Sequence, residues 1–182
     1  MKISPVLCLL ISIGVVALHT ACAQPPDRAT NQPASKSTLR PQDLSASESQ
    51  ALSNLAAMVN EQFTIYSLQT QFSPTGRDFR GGFPASNQDY SYQIVQVTST
   101  KVYMTATAQQ PNLRSLSAQV FVLPAASRPQ AYQNSPINGS ICVTNVPSQL
   151  PPADPGEAIV AEPPCPNGSS SMGVFYPSNR KE

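Results

Sequence analysis

The side chains that most often perform acid, base or nucleophilic chemistry are scarce in this 182-residue chain. Its one histidine, His19, lies in an N-terminal segment with the pattern of a cleaved leader, so the rest of the chain has none. Ser-His-Asp and Cys-His sites and histidine-rich zinc sites are therefore excluded. A Ser-Lys pair would need Lys36, Lys101 or Lys181, and the sequence around them gives no reason for an activated amine. We expect no enzymatic activity and no cofactor.

Carboxylates offer one candidate metal site, in the segment Asp154-Pro-Gly-Glu157. Carboxylate oxygens are ligands that Ca²⁺ prefers, but it binds about 6–8 oxygens in all. Two carboxylates are too few for such a ligand set. We therefore predict a solvated, proline-rich turn at this place and no metal site.

The cysteines offer a different chemistry. Of the four, Cys142 and Cys165 lie outside the N-terminal segment, and two cysteines of an exported protein usually pair. A disulfide between them would close a loop of about 24 residues and stabilise the fold by roughly 3.5 kcal/mol in the chain-entropy model. The alternative is a redox role, although the chain has no C-x-x-C motif. We predict a structural disulfide.

Residues 1–23 predict export. Lys2 gives a positive start, Val6 to Leu18 is almost entirely apolar, and Ala21-Cys22-Ala23 fits a signal-peptide cleavage site before Gln24. As a helix the apolar run spans only about 20 Å, short of the roughly 30 Å hydrocarbon core of a membrane. An uncleaved membrane anchor is the alternative. We expect a protein of the periplasm or cell surface.

Cys22 leaves a second alternative open, because a lipoprotein signal places a Leu-like residue three positions before the lipidated cysteine. That position holds His19, and Leu18 lies one position too early. Cys22 is therefore either removed with the signal peptide or lipidated, in which case buried acyl chains would attach the protein to a membrane.

Composition divides the remainder of the chain. Residues 24–43 contain four prolines and almost nothing apolar, which predicts a disordered linker; residues 44–176 form the predicted globular domain, and 177–182 a tail. The net charge of +1 and the lack of a basic run argue against nucleic acid or a polybasic membrane surface as a partner.

The globular region begins with a helix and continues with strands. Ser45-Ala-Ser-Glu48 is a capping box that opens a helix from about Ala46 to Thr70. Its apolar residues recur every three or four positions and predict packing on a sheet, a cofactor or partner groove being the alternative; they are Leu52, Leu55, Ala56, Val59, Phe63 and Tyr66. Alternation predicts three or four antiparallel strands, the first two joined by a hairpin at Thr98-Ser-Thr100. The layout is α+β, with the helix on one face of the sheet.

One polar segment and one set of tyrosines each allow two interpretations. Arg77-Asp-Phe-Arg80 predicts a polar loop with a surface ion pair, or else a small recognition patch. Tyr90, Tyr92 and Tyr103 predict cross-strand packing on the first hairpin, or else an aromatic face that binds sugar or protein.

A series of short motifs follows Glu48 in a fixed order. They are Phe63-Thr-Ile-Tyr66, Asp89-Tyr90-Ser-Tyr92-Gln-Ile94, Ala106-Thr-Ala108, Leu113-Arg114-Ser115, Gln119-Val120-Phe121-Val122, Ile141-Cys142 and Cys165-Pro166-Asn167-Gly168. In order and spacing this region resembles the type IV pilin-like G/H family, of the cyanobacterial type. The resemblance implies a pilin-type domain with a helix on an antiparallel sheet, a disulfide between Cys142 and Cys165 that closes a C-terminal loop, and no catalytic residues.

The N-terminus differs from that of a true pilin, which has a glycine just before a long apolar helix and a glutamate at the fifth position after cleavage. Here Gly14 lies inside the apolar run and His19 occupies the fifth place. We therefore expect a pilin-like head domain without the prepilin leader. The resemblance implies an association with type IV pili or type II secretion. We expect a partner among these components or another envelope protein, bound through the sheet edges and the loop Gln149 to Val160, because loops on a rigid scaffold often carry recognition. The alternative is an envelope lipoprotein with a structural or carbohydrate-binding role.

Overall fold

The computed structural model describes residues 39–128, 130, 136–156 and 163–176. The predicted signal peptide, Cys22, most of the predicted linker and the tail lie outside these residues. Within the described part of the chain, no helix is both long and apolar enough to cross a membrane. The elements are the helix α1 (Ala46–Gln69) and the strands β1 (Tyr90–Val97), β2 (Lys101–Ala108), β3 (Leu116–Val122), β4 (Ile137–Thr144) and β5 (Ser169–Phe175).

The capping box determines where α1 begins. The Ser45 hydroxyl accepts a hydrogen bond from the Glu48 amide at 3.3 Å, and the Glu48 carboxylate accepts one from the Ser45 amide at 2.7 Å. Both donors would otherwise lack a partner at the start of the helix. The helix ends at Gln69 because Thr70 adopts the left-handed conformation, with φ of 55°. The predicted helix is confirmed to within one residue.

The five strands form one antiparallel sheet in the order β1-β2-β3-β4-β5, so each strand pairs with its neighbours in sequence. The hairpin at Thr98 to Thr100 is confirmed, since the Thr98 amide donates to the Lys101 carbonyl at 2.7 Å. The predicted α+β fold is therefore confirmed, but the prediction of three or four strands was too low. The missing strand, β5, begins with three serines and contains Gly173, so it carries no alternating apolar signal.

One face of the sheet, here called the inner face, packs against α1. From β2 it presents Val102, Met104 and Ala106, all fully buried in a single core with Leu55 and Val59 of the helix. The predicted role of the apolar stripe in packing is confirmed. Leu52, Ala56 and Tyr66 lie at its margin and are only half-buried.

The helix approaches β4 most closely at Gly139. A Cβ atom at this position would lie 2.8 Å from a methyl carbon of Val59 and 3.2 Å from the Phe63 ring. Any larger residue would push α1 away from the sheet. The last residues of the predicted linker also contact the domain: Pro41–Asp43 forms a short 3₁₀ turn, and Leu39 and Leu44 pack at the edge of the core.

Candidate functional site

The outer face of the sheet, the one turned away from α1, is also buried. Side chains alternate along a strand, so Lys101, Tyr103 and Thr105 of β2 point away from the helix. They are nevertheless only 3%, 6% and 2% exposed. This burial requires a second covering layer. Residues 145–156, which follow β4 and are called the strap below, contribute to that layer.

Hydrogen bonds fix the strap along its length. Ser148 is held at both backbone groups: its amide donates to the Leu113 carbonyl at 2.9 Å, and its carbonyl accepts from the Ser115 hydroxyl at 2.6 Å. The side-chain amide of Gln149 donates to the Gln109 carbonyl at 2.9 Å. Further along, the Tyr103 hydroxyl donates to the Pro152 carbonyl. The proline-rich strap thus has a defined position on the sheet.

An ion pair fastens the far end of the strap. Lys101 Nζ lies 2.7 and 2.9 Å from the two carboxylate oxygens of Asp154. The lysine side chain is 3% exposed and the aspartate 24% exposed. The turn predicted at Asp154 is therefore not simply solvated: its carboxylate binds the lysine of β2. The other predicted carboxylate, Glu157, lies outside the described residues.

The two members of this pair should respond unequally to mutation. Asp154→Ala leaves the buried Lys101 ammonium without its partner, and we expect it to lower the free energy of unfolding by about 2–3 kcal/mol. Lys101→Met removes the buried charge, fills the same space and leaves Asp154 access to water, so we expect a loss below about 1 kcal/mol. Urea unfolding of both variants is the measurement. Equal losses, or a larger loss for Lys101→Met, would contradict this assignment.

The three tyrosines of the first hairpin divide between the two faces of the sheet. Tyr90 and Tyr92 lie on the inner face with ring centroids 6.4 Å apart, and their hydroxyls bond to the Arg114 carbonyl and to the side chain of Asn54. Tyr103 instead lies under the strap. The predicted three-tyrosine cluster was therefore wrong, because alternation along β2 places Tyr103 on the opposite face from Tyr90 and Tyr92.

The predicted disulfide is present between Cys142 and Cys165, whose Cα atoms are 5.7 Å apart. Cys142 lies in β4, and Cys165 precedes β5, so the bond attaches the end of the loop that begins with the strap to the sheet. The Asn145 amide, which donates to the Gly168 carbonyl at 2.9 Å, holds the same two segments together. The disulfide is thus placed to stabilise the loop, as expected for a structural bond.

The surface that the strap presents to solvent contains two large aliphatic side chains. Val146 is 65% and Leu150 is 77% exposed, although the backbone between them is held at Ser148. The outer face of the sheet, which the strap helps to cover, is polar. The side-chain oxygens of Gln119, Ser140 and Thr144 are buried there and accept no hydrogen bond from the described residues.

The described residues also show where the candidates for metal binding and for a Ser-Lys pair lie. Among the described residues, no three His, Cys, Asp or Glu side chains are grouped so as to hold a metal ion. Lys101, the one described lysine considered for a Ser-Lys pair, is bound to Asp154. Sequence reasoning missed the Lys101–Asp154 ion pair and the exposure of Val146 and Leu150. The only sequence signal for the ion pair was a lysine at the start of a strand, and nothing in the sequence linked it to the distant Asp154.

One helix on an antiparallel meander, with a disulfide at the C-terminal side of the sheet, defines a pilin-like class of domain. The family model for type IV pilin-like G and H proteins matches residues 48–166, and the chain belongs to this family. No curated protein and no solved structure matched the chain. Membership indicates a role related to type IV pili, and such proteins are in general structural and not enzymatic.

Proposed function

We propose that this protein is an exported, non-enzymatic interaction domain that associates with components of type IV pili or of type II secretion. The strap is its contact surface. Residues 1–23 would direct export to the periplasm or cell surface, and the linker would separate the head domain from any point of attachment. A lipid on Cys22 would provide such a point, and the protein would then remain with the membrane.

The observation that carries this proposal is the exposure of Val146 and Leu150 on a segment that is otherwise firmly held. Large aliphatic side chains on a fixed loop bind a partner with little loss of conformational entropy, because the backbone is already ordered. The prolines of the strap, including Pro151 and Pro152, restrict it further. The surface of the strap is therefore preorganised for binding a protein partner.

Deleting the strap would be a poor test, since it would also remove the Lys101–Asp154 pair and the bond to Tyr103. We would instead compare Val146→Ser/Leu150→Ser with the control Val95→Ser, which removes an aliphatic side chain that is 55% exposed on β1. Pili would be sheared from the native cells, and the protein quantified in the pili, the envelope membranes and whole cells. We expect the native protein to be enriched with pili, the strap variant to be depleted by about tenfold, and the control to be unchanged.

Two results would contradict the proposal. Equal enrichment of the strap variant and the native protein would exclude the strap as the contact surface. Absence of the native protein from pili, with retention in envelope membranes, would instead favour an envelope lipoprotein that shares only the pilin fold. Thermal unfolding of both variants would verify that depletion does not result from misfolding.

A further inference from the structure

A groove of about 670 Å³ lies on the helix side of the molecule, away from the strap. The C-terminal half of α1 forms most of its wall, and the residue after β5 and the loop after α1 complete it; the lining residues are Asn60, Phe63, Thr64, Ser67, Leu68, Arg80 and Tyr176. Leu68 is 67% exposed although it is a large aliphatic side chain. The groove thus combines an apolar part with one cationic side chain.

Arg80 is the one charged residue among those that line the groove, and no ion pair joins its guanidinium to a carboxylate of the described residues. Glu61 of α1 is also negatively charged, but its carboxylate accepts hydrogen bonds from the backbone amides of Arg80 and Gly81, each at 3.0 Å. The sequence-based expectation of an ion pair in this loop was also wrong, because Asp78 accepts a hydrogen bond from the Ser73 hydroxyl.

The other described carboxylates are engaged elsewhere. Each bonds to a group inside the domain, and the partners are Arg40 for Asp43, Arg114 for Glu48, Ser47 for Asp89 and Lys101 for Asp154. Among the described residues, the Arg80 guanidinium at this groove therefore has no carboxylate bound to it. A partner that supplies a carboxylate would complement this charge.

We propose that this groove binds a segment of another protein in which a carboxylate lies next to a large aliphatic side chain. The aliphatic side chain would pack on Leu68 and Phe63, and the carboxylate would pair with the Arg80 guanidinium, which is suited to bind carboxylates through two hydrogen bonds. This site is separate from the strap, because α1 covers the inner face of the sheet and the strap covers the outer face. The domain would then join two protein partners.

Site-specific photocrosslinking in the native cells tests this proposal on the full chain. A photoreactive side chain would replace Ser67, which lines the groove, or Ser53, the control. Both serines are exposed on α1, and both hydroxyls donate to the carbonyl four residues earlier, at 2.8 and 3.0 Å. The two positions are about 21 Å apart along the helix, so only the first reports on the groove. Crosslinked partners would be digested and sequenced.

We expect a crosslink from position 67 and not from position 53, to a peptide that carries Asp or Glu within a few residues of Leu, Ile, Val or Phe. Arg80→Glu should lower its yield by about tenfold. Replacing the partner's carboxylate by lysine should restore the yield with Arg80→Glu. Arg40→Glu, an equal change of charge before the other end of α1, should have no effect.

Three outcomes would overturn the proposal: equal crosslinking from both positions, a crosslinked peptide without a carboxylate, or a yield that is insensitive to Arg80→Glu. The strap is tested by different substitutions, so failure here leaves the proposed function standing. Loss of pilus association in the strap variant with an unchanged crosslink from position 67 would show that the two surfaces act independently.

Discussion

Replacing Glu48 by alanine will lower the free energy of unfolding by about 3–5 kcal/mol, the range observed when one member of a buried ion pair is removed. Glu48 is 2% exposed and lies within the first turn of α1. Its loss leaves several donors without an acceptor at once. Urea unfolding at neutral pH, followed by circular dichroism, measures the effect.

The carboxylate of Glu48 joins three parts of the fold. It accepts from the Ser45 amide at 2.7 Å as part of the capping box, and from the Arg114 amide at 2.9 Å. The Arg114 guanidinium lies 3.2 and 3.3 Å from its two oxygens. The Arg114 carbonyl in turn accepts from the Tyr90 hydroxyl at 2.7 Å. One side chain therefore connects the start of α1 to β1 and to the segment before β3.

The same contacts make stability depend on pH. Burial raises the pKa of Glu48, but the hydrogen bonds from Ser45 and Arg114 and the charge of Arg114 lower it more, so that the pKa lies below its ordinary value of 4.5. A lowered folded-state pKa stabilises the protein at pH values above 4.5, and this contribution is lost as pH falls through the folded-state pKa. Glu48→Gln should remove this part of the acid sensitivity.

Glu61→Ala is a matched control on the same helix. Glu61 also accepts two backbone hydrogen bonds, but it is more exposed and no ion pair involves it among the described residues, so we expect a loss of about 1 kcal/mol. Similar losses for both variants, or an unchanged acid transition in Glu48→Gln, would show that Glu48 does not have this central role.

Breaking the disulfide should have the second largest effect. Cys165→Ser will lower the free energy of unfolding by roughly 3.5 kcal/mol, because the unfolded chain regains the freedom of a loop of about 24 residues. We expect a fall in melting temperature on the order of 10 °C. Cys165 is the better position to replace, since it is half-buried, whereas Cys142 is 5% exposed and a serine there would bury a hydroxyl.

Wild-type protein in reducing agent is the control for this substitution. It should melt at the same temperature as Cys165→Ser, and adding the reagent to the variant should change nothing. A variant that melts like the oxidised wild type would show that the hydrogen bonds of the strap hold the loop in place without the disulfide. The strap test of pilus association can then be repeated on the variant below its melting temperature.

Local patterns predicted the elements whose formation depends on near neighbours in sequence. The capping box fixed the start of α1 because Ser45 and Glu48 satisfy each other's backbone donors within one turn. The hairpin at Thr98 to Thr100 followed from alternation on both sides of a short connection. The pairing of Cys142 with Cys165 followed from the absence of other cysteines outside the predicted signal peptide.

The strand β5 and the covering of the outer face did not follow from such patterns. Serines and a glycine form β5 because β4 offers an unpaired edge, which is a property of the assembled sheet. Lys101, Tyr103 and Thr105 of β2 are polar or amphipathic, a composition typical of a solvated sheet face. The strap helps to bury them instead. Nothing in the residue pattern of β2 or of the strap indicates that the two come into contact.

The sequence by itself determined the fold class, the helix, most of the strands, the disulfide partners and the family, because these depend on periodicity, on capping and on residue counts. Only the tertiary structure decided which charges pair and which surfaces remain open. Lys101 and Asp154 are 53 residues apart, and Glu48 and Arg114 are 66 apart. Contacts at such separations arise when folding brings elements together, so the strap, the groove at Arg80 and their exposed aliphatic side chains were visible only in three dimensions.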